Sequence, residues 1–255
     1  MDSGSTPASS PAVGDAPRAS PRRRPGPARW AWLGAAAQVV FLVVMIAAAF
    51  WQGPRYSVLK HTVSDMSAIG APHAMVPIVV FTVCGAATIV FALRSVWPTL
   101  RPGGWRAALG TALLALSVVG LGDLLSSQER LACRMADPGC TAIKQISNAG
   151  GSTDNVVTSL GVLLLVVAGF FLAAAMRRTP GWQRWAWPAR WAAILVLAFA
   201  VADVLTQNAG LGGLFERLVA VTGAVAVGVL AVGILRRGAA REPYRETVRP
   251  TRMGS

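Results

Sequence analysis

Five carboxylates, an arginine and a histidine stand where an otherwise apolar chain has no inexpensive place for them: Asp65, Asp123, Asp154, Asp203 and Glu216, with Arg217 and His61 beside them. A carboxyl group at the edge of hydrocarbon can carry a proton, serve as general acid or base, or hold a cation. Ser64, Ser126 and Ser152 add hydroxyls that such a base could activate. Asp123 and Asp203 make the strongest case. Each lies inside an apolar run near the predicted C-terminal end of its helix, where the backbone dipole opposes negative charge. Insertion into a helix centre costs an aspartate about 2.5–3.5 kcal/mol, less toward the interface. Both therefore call for a partner, and Arg217, the one basic residue inside an outer helix end, is expected to pair with one of them. Asp65, Asp154 and Glu216 are predicted near helix N-termini. An acid there gains about 0.3–1 kcal/mol, and Ser64, Ser152 and Thr153 are candidate caps, so these three read equally as end-stabilising acids or as pocket members. His61 and Asp65, four residues apart, would share one face of a helix. His73 is the only other histidine, and no HxxxH or CxxC spacing points to a metal; neither metal nor cofactor is expected. Glu129 and Asp137 lie in a hydrophilic stretch and read as solvated charges.

Those residues must be positioned by membrane helices. The chain is 54% hydrophobic and 14% charged, against about 25% charged in soluble domains. Apolar runs at about 30–51, 73–97, 105–126, 153–176, 187–207 and 213–235 each approach the roughly 20 residues that cross a bilayer as a helix. Tryptophans including Trp30, Trp51, Trp97, Trp105, Trp185 and Trp191 gather at their ends, at headgroup level. The first run exceeds a signal-peptide core and reads as an uncleaved helix. The fold class is therefore all-α, a polytopic bundle of six transmembrane helices over residues 30–237. Residues 1–29 and 238–255 read as disordered basic tails.

Eighteen of the 24 Lys and Arg residues fall in the two tails and the short second-to-third and fourth-to-fifth connections. The positive-inside rule places those segments, and both termini, in the cytoplasm of a plasma membrane. Seven of the eleven acids then lie at or beyond the outer helix ends. The formal charge of +13 comes from arginines flanking apolar runs, which leaves no soluble domain to grip nucleic acid; the lipid bilayer is the expected partner. Arginine preferred over lysine, with abundant Ala, Gly and Pro, suggests a GC-rich bacterial genome. Cys133 and Cys140 share the longest outer loop, where a disulfide persists, and a bridge there would staple it.

The run Tyr56-Ser57-Val58-Leu59-Lys60-His61-Thr62-Val63-Ser64-Asp65-Met66-Ser67-Ala68 resembles the S-D-L-G/S-A signature after the first helix of the family called "domain of unknown function 998". The Gly-x-x-Glu-Arg run from Gly213 to Arg217 is similar to that family's last-helix motif. The resemblance implies a six-helix membrane protein and supplies no activity. One departure is that a histidine associated with the family near the fourth helix is absent, with Gly151-Ser152-Thr153-Asp154-Asn155 in its place. Three classes of function remain. The first is an outward-facing acidic pocket binding or transporting a small molecule or lipid. The second is a membrane-embedded lipid hydrolase or transferase, and the third a non-catalytic partner subunit. No phosphate-cradling Gly-Lys-Ser/Thr motif is present to support nucleotide chemistry.

Overall fold

Six helices follow one another down the chain because apolar composition, with no water to satisfy exposed peptide groups, leaves the helix as the economical backbone. The computed structural model describes residues 26–247, with side-chain detail to Arg237. Its crossings are α1 (Pro27–Phe50), α2 (Met75–Gly103), α3 (Trp105–Gly122), α4 (Ala149–Arg178), α5 (Gln183–Ala209) and α6, which crosses over Gly212–Arg237 and continues as helix to Thr247. Pro27 sits in the first turn of α1, where its missing N–H costs nothing, so the helix begins inside the segment assigned to the N-terminal tail. The C-terminal segment assigned to disorder from 238 is helical as far as Thr247. The tail assignments for 1–25 and 248–255 lie outside the described residues.

Each helix packs on its neighbours in sequence, and α6 returns against α1, closing an up-and-down ring. Gly34 admits the Phe91 ring between α1 and α2, and Gly110 admits Leu172 between α3 and α4. Where hydrocarbon supplies no hydrophobic drive between helices, such close approach is the main source of attraction. Gln38 on α1 donates to Thr88 Oγ1 on α2 at 2.9 Å, a buried polar contact with no competitor in lipid. Helix α5 is covered least by its neighbours.

Two helices depart from regularity. Helix α2 widens into a π turn at Ala92–Val96, and Gly104, at φ 65°, reverses the chain directly into α3. Helix α3 is broken at Ser117, whose backbone is extended. The Ser117 hydroxyl donates to Leu114 O at 2.8 Å, and a second π turn, Val118–Gly122, follows.

Hydrogen bonds define two ends of the bundle. At the end bearing both termini, Ser95 donates to Pro27 O, and Arg237 reaches Gly181 O and the Trp182 ring. At the opposite end two long loops, 51–74 and 123–148, cross over the helices. Ile69 N donates to Leu131 O at 3.0 Å, Arg130 Nε to Ser67 O at 3.3 Å, and Leu214 N, in the first turn of α6, to Leu59 O at 3.0 Å. The second loop is tied internally by a disulfide between Cys133 and Cys140, with Cα atoms 5.9 Å apart. The fork of Arg134 on Asp137 ties it again, at 2.6 and 3.0 Å. Arg134 also donates to Gln52 O at 3.2 Å, fixing this loop to the exit of α1.

Candidate functional site

Beneath the crossed loops lies a cavity of about 100 Å³. Four carboxyl side chains line it: Asp123 just past the π turn of α3, Glu129 from the loop, Asp154 in the second turn of α4 and Glu216 in the second turn of α6. Ser64, Ser67, Ser126 and Thr158 add hydroxyls, and the Phe41 and Phe81 rings, with centroids 4.8 Å apart, contribute to the apolar remainder. No lining residue is basic.

The carboxyl groups are only partly satisfied. Glu216 Oε2 accepts from Val63 N at 3.0 Å, and Asp154 Oδ1 accepts from the Ser64 hydroxyl at 2.9 Å. Glu129 is 8% exposed and its Oε1 has no hydrogen-bond partner among the described residues. Burial, with Asp154 opposite adding like charge, pushes the Glu129 carboxyl up to about 8. Uncompensated anions around one small, largely apolar-walled space are costly to keep ionised together; sharing protons or taking a cation relieves that cost.

Of the residues singled out in the sequence, Asp123, Asp154 and Glu216 come together here, whereas Asp65, Asp203, Arg217 and His61 do not line the cavity. Asp65 lies in a 3₁₀ turn, Ser64–Ser67, well before α2 begins at Met75, so it caps no crossing. Fully buried, it accepts from Met135 N at 3.0 Å and Gln145 Nε2 at 2.7 Å, and thereby anchors the disulfide loop. Its burial outweighs those bonds and pushes it up to about 6. His61 stands before that turn, not on a helix face with Asp65. Its Nδ1 accepts from Ser57 N at 2.9 Å, and burial with nearby Lys60 holds its pKa below the ordinary value. Capping at α4 falls to Asn148, whose Oδ1 accepts from Gly151 N at 2.7 Å, because the helix starts a turn earlier than its apolar run. Asp203 faces Gly212 from α5, and α5 has no break matching Ser117. The similarity of the two Asp-containing segments therefore has no counterpart in local geometry.

The expected pairing of Arg217 with Asp203 or Asp123 is overturned. Gly213 lets the first turn of α6 press on the backbone of His61, so Arg217, one turn on, reaches loop carbonyls that have no helical partner. It donates to Val58 O at 2.9 Å, His61 O at 2.7 Å and Gly213 O at 2.8 Å, and to the Tyr56 hydroxyl. It ties the 56–61 loop segment to α6. Lysine offers one nitrogen where arginine offers two, so it cannot hold the loop carbonyls and the Tyr56 hydroxyl together, and Arg217→Lys is expected to lower the unfolding free energy by about 2–3 kcal/mol. A thermal melt in nonionic detergent, with Tyr56→Phe as a milder comparison, checks this.

Glu129, expected as a solvated charge, is buried. It sits between hydrophilic residues, and its burial arises only because Arg130 and Leu131 bond across to residues 67–69 and fold the loop back onto the bundle. No local signal carries that information.

A closed ring of six apolar crossings, roofed at one end by loops, is the architecture of a polytopic helical membrane protein. Neither a curated protein nor a solved structure matches the chain. The chain belongs to the family described as "Protein of unknown function (DUF998)", whose model matches residues 35–233, from the first crossing to the sixth.

Proposed function

We propose that the protein binds a small cation, either to carry it or to present it, in the acidic cavity, and that the loop end faces the exterior of a plasma membrane. The observation that bears this reading is four carboxyl groups around one cavity with no basic side chain among its walls. Two features favour the orientation. The end carrying the termini also bears Arg94, Arg101, Arg177 and Arg184, and the opposite end bears the disulfide, which an oxidising compartment maintains. Size narrows the ligand. Drug-sized sites occupy about 300–1,000 Å³ and an apolar cavity of about 150 Å³ holds benzene, so about 100 Å³ takes a headgroup of a few atoms. Charge narrows it further, since phosphate or carboxylate would be repelled. The acids are spread around the walls, and among the described residues no three His, Cys, Asp or Glu side chains are grouped to hold a metal ion. An organic ammonium suits that arrangement.

Calorimetric titration of the detergent-purified protein with ethylammonium, in two buffers of different ionisation enthalpy, tests the reading. Saturable binding with a buffer-dependent heat is expected, because an entering cation displaces protons the acids share. Asp123→Asn and Glu216→Gln should each weaken binding at least tenfold, about 1.4 kcal/mol. No saturable heat in the wild-type protein would reject the site.

A second reading has one observation behind it: the Ser64 hydroxyl donates to Asp154 at 2.9 Å, an arrangement in which a carboxylate could activate a nucleophile for lipid hydrolysis or transfer. Lipid profiles of cells carrying Ser64→Ala against wild type separate the two, since a cation-binding role leaves the lipids unaltered.

A further inference from the structure

A second cavity lies one helical turn farther along the same helices. It measures about 430 Å³ and runs between α4, α5 and α6 with α3 as its floor. Its only side-chain N–H or O–H groups are those of Thr222 and Trp185. Leu195, Val225 and Val229 form its rim and are 44–49% exposed, so it opens sideways toward the surrounding lipid. Along α4 its wall runs from Leu165 to Met176, about 16 Å at the helical rise.

The two cavities are in series. Val119 on α3, Val162 on α4 and Val219 on α6 line the acidic one, whereas Leu114, Leu165 and Gly223 on the same helices line the apolar one. At the level between them, a Cβ on Gly223 would stand 3.1 Å from Leu165 Cδ2 and 3.6 Å from Val119 Cγ1. At Gly223 itself α6 contributes no side chain, so Val119 and Leu165 stand in front of it between the spaces, and a ligand occupying both would require Leu165 to move.

We propose that the ligand is a single-chain cationic amphiphile, its ammonium head among the carboxyl groups and its alkyl chain in the groove between α4, α5 and α6. This rests on the reading of the acidic cavity as a cation site and supplies the chemical class of its occupant. Three features select that class. The head space is too small for a phospholipid headgroup and repels phosphate. The buried, unpartnered Oε1 of Glu129 offers an acceptor at the head position. The groove lies beyond Val119 and Leu165, on the side away from the loop end, where the chain of an amphiphile anchored at the headgroup level must run. The molecule enters sideways past Leu195 and Val225, without crossing water.

The test compares ethylammonium with dodecylammonium on wild-type protein and on two plugged variants, Gly223→Val and Ala226→Trp, each read against wild type with the same ligand so that partitioning into detergent cancels. Plugging is expected to weaken dodecylammonium at least tenfold and to change ethylammonium less than twofold. Dodecylammonium unaffected by either plug would overturn the amphiphile assignment while leaving the cation site intact; failure of both ammonium ions on wild type would reject the cavity itself. A dodecylammonium bearing a diazirine at its chain terminus gives an independent readout that does not rely on the variants folding. Crosslinks to peptides containing Met176 or Leu230, suppressed by unlabelled dodecylammonium, are expected. Crosslinks confined to the outer faces of α1 and α2, or suppressed equally by anionic phospholipid, would assign the groove to ordinary bilayer chains and overturn the proposal.

Discussion

Gly85→Ala is expected to destabilise the protein by about 3 kcal/mol and to abolish cation binding together with stability. Gly85 lies on α2 directly against the backbone of the π turn and its exit. A Cβ there would collide with Leu124 N and stand 2.6 Å from Gly120 O and 2.8 Å from the carbonyl carbon of Asp123. Backbone cannot swing aside as a flexible side chain can, so the contact must be relieved by moving α2 away from the segment that holds Asp123. Overpacking of this kind costs about 1–3 kcal/mol and more where the obstacle is rigid. The control is Gly228→Ala on α6, whose added methyl meets only Gln38 Cβ at 3.8 Å. Helix propensity favours that substitution by about 0.5–1 kcal/mol, so it should melt slightly higher and bind normally. A melt of Gly85→Ala indistinguishable from wild type would show that the broken end of α3 is not held where the structure puts it.

The second large effect concerns pH. Glu129 binds its proton up to about 8 and Asp65 up to about 6 in the folded protein, against 4.5 and 3.8 for the free groups. Both are displaced upward, so the folded state holds more protons than the unfolded state between those limits. Stability must therefore fall as pH rises, first as Asp65 loses its proton and then as Glu129 does. Asp154 faces Glu129 across the cavity, while Met135 N, Gln145 and the Arg134–Asp137 pair surround Asp65; these set the shifts. At about 1.4 kcal/mol for each pH unit between the free and folded values, the loss from about pH 4 to about pH 9 is on the order of 8 kcal/mol. Thermal melts across that range check it. Glu129→Gln should remove much of the slope above about pH 6 and leave the part belonging to Asp65; an unchanged slope would mean that Glu129 is hydrated and ordinary.

How much of this could be read from the residues differs sharply between scaffold and site. All six crossings were legible because a bilayer selects for length and apolarity, properties of contiguous sequence. Their ends were less so. Asn148 draws α4 back a turn from its apolar run, and ten residues after Ser64 pass before α2 starts, since capping and loop packing decide those points. Asp123, Asp154 and Glu216 could be singled out because a carboxylate in an apolar run is conspicuous. Glu129 could not, because its surroundings are made by residues 67–69, remote in sequence. Arg217 was assigned the wrong partner for the same reason: charge invited an acid, whereas loop carbonyls and Tyr56 compete for a guanidinium just as effectively once α6 is pressed against them. Position along the bundle axis is readable; position around the ring is not.

The turn at Gly104 has a bearing on biogenesis. A single residue separates α2 from α3, too little chain to let one wait at a translocation channel while the other is still being synthesised. The pair must enter as a preassembled hairpin, and the ribosome has to release both before either can settle. The fourth crossing, by contrast, follows the long disulfide-tied loop, whose oxidation can lag behind its synthesis. Asp123 is accordingly in place before Asp154 and Glu216 arrive on α4 and α6.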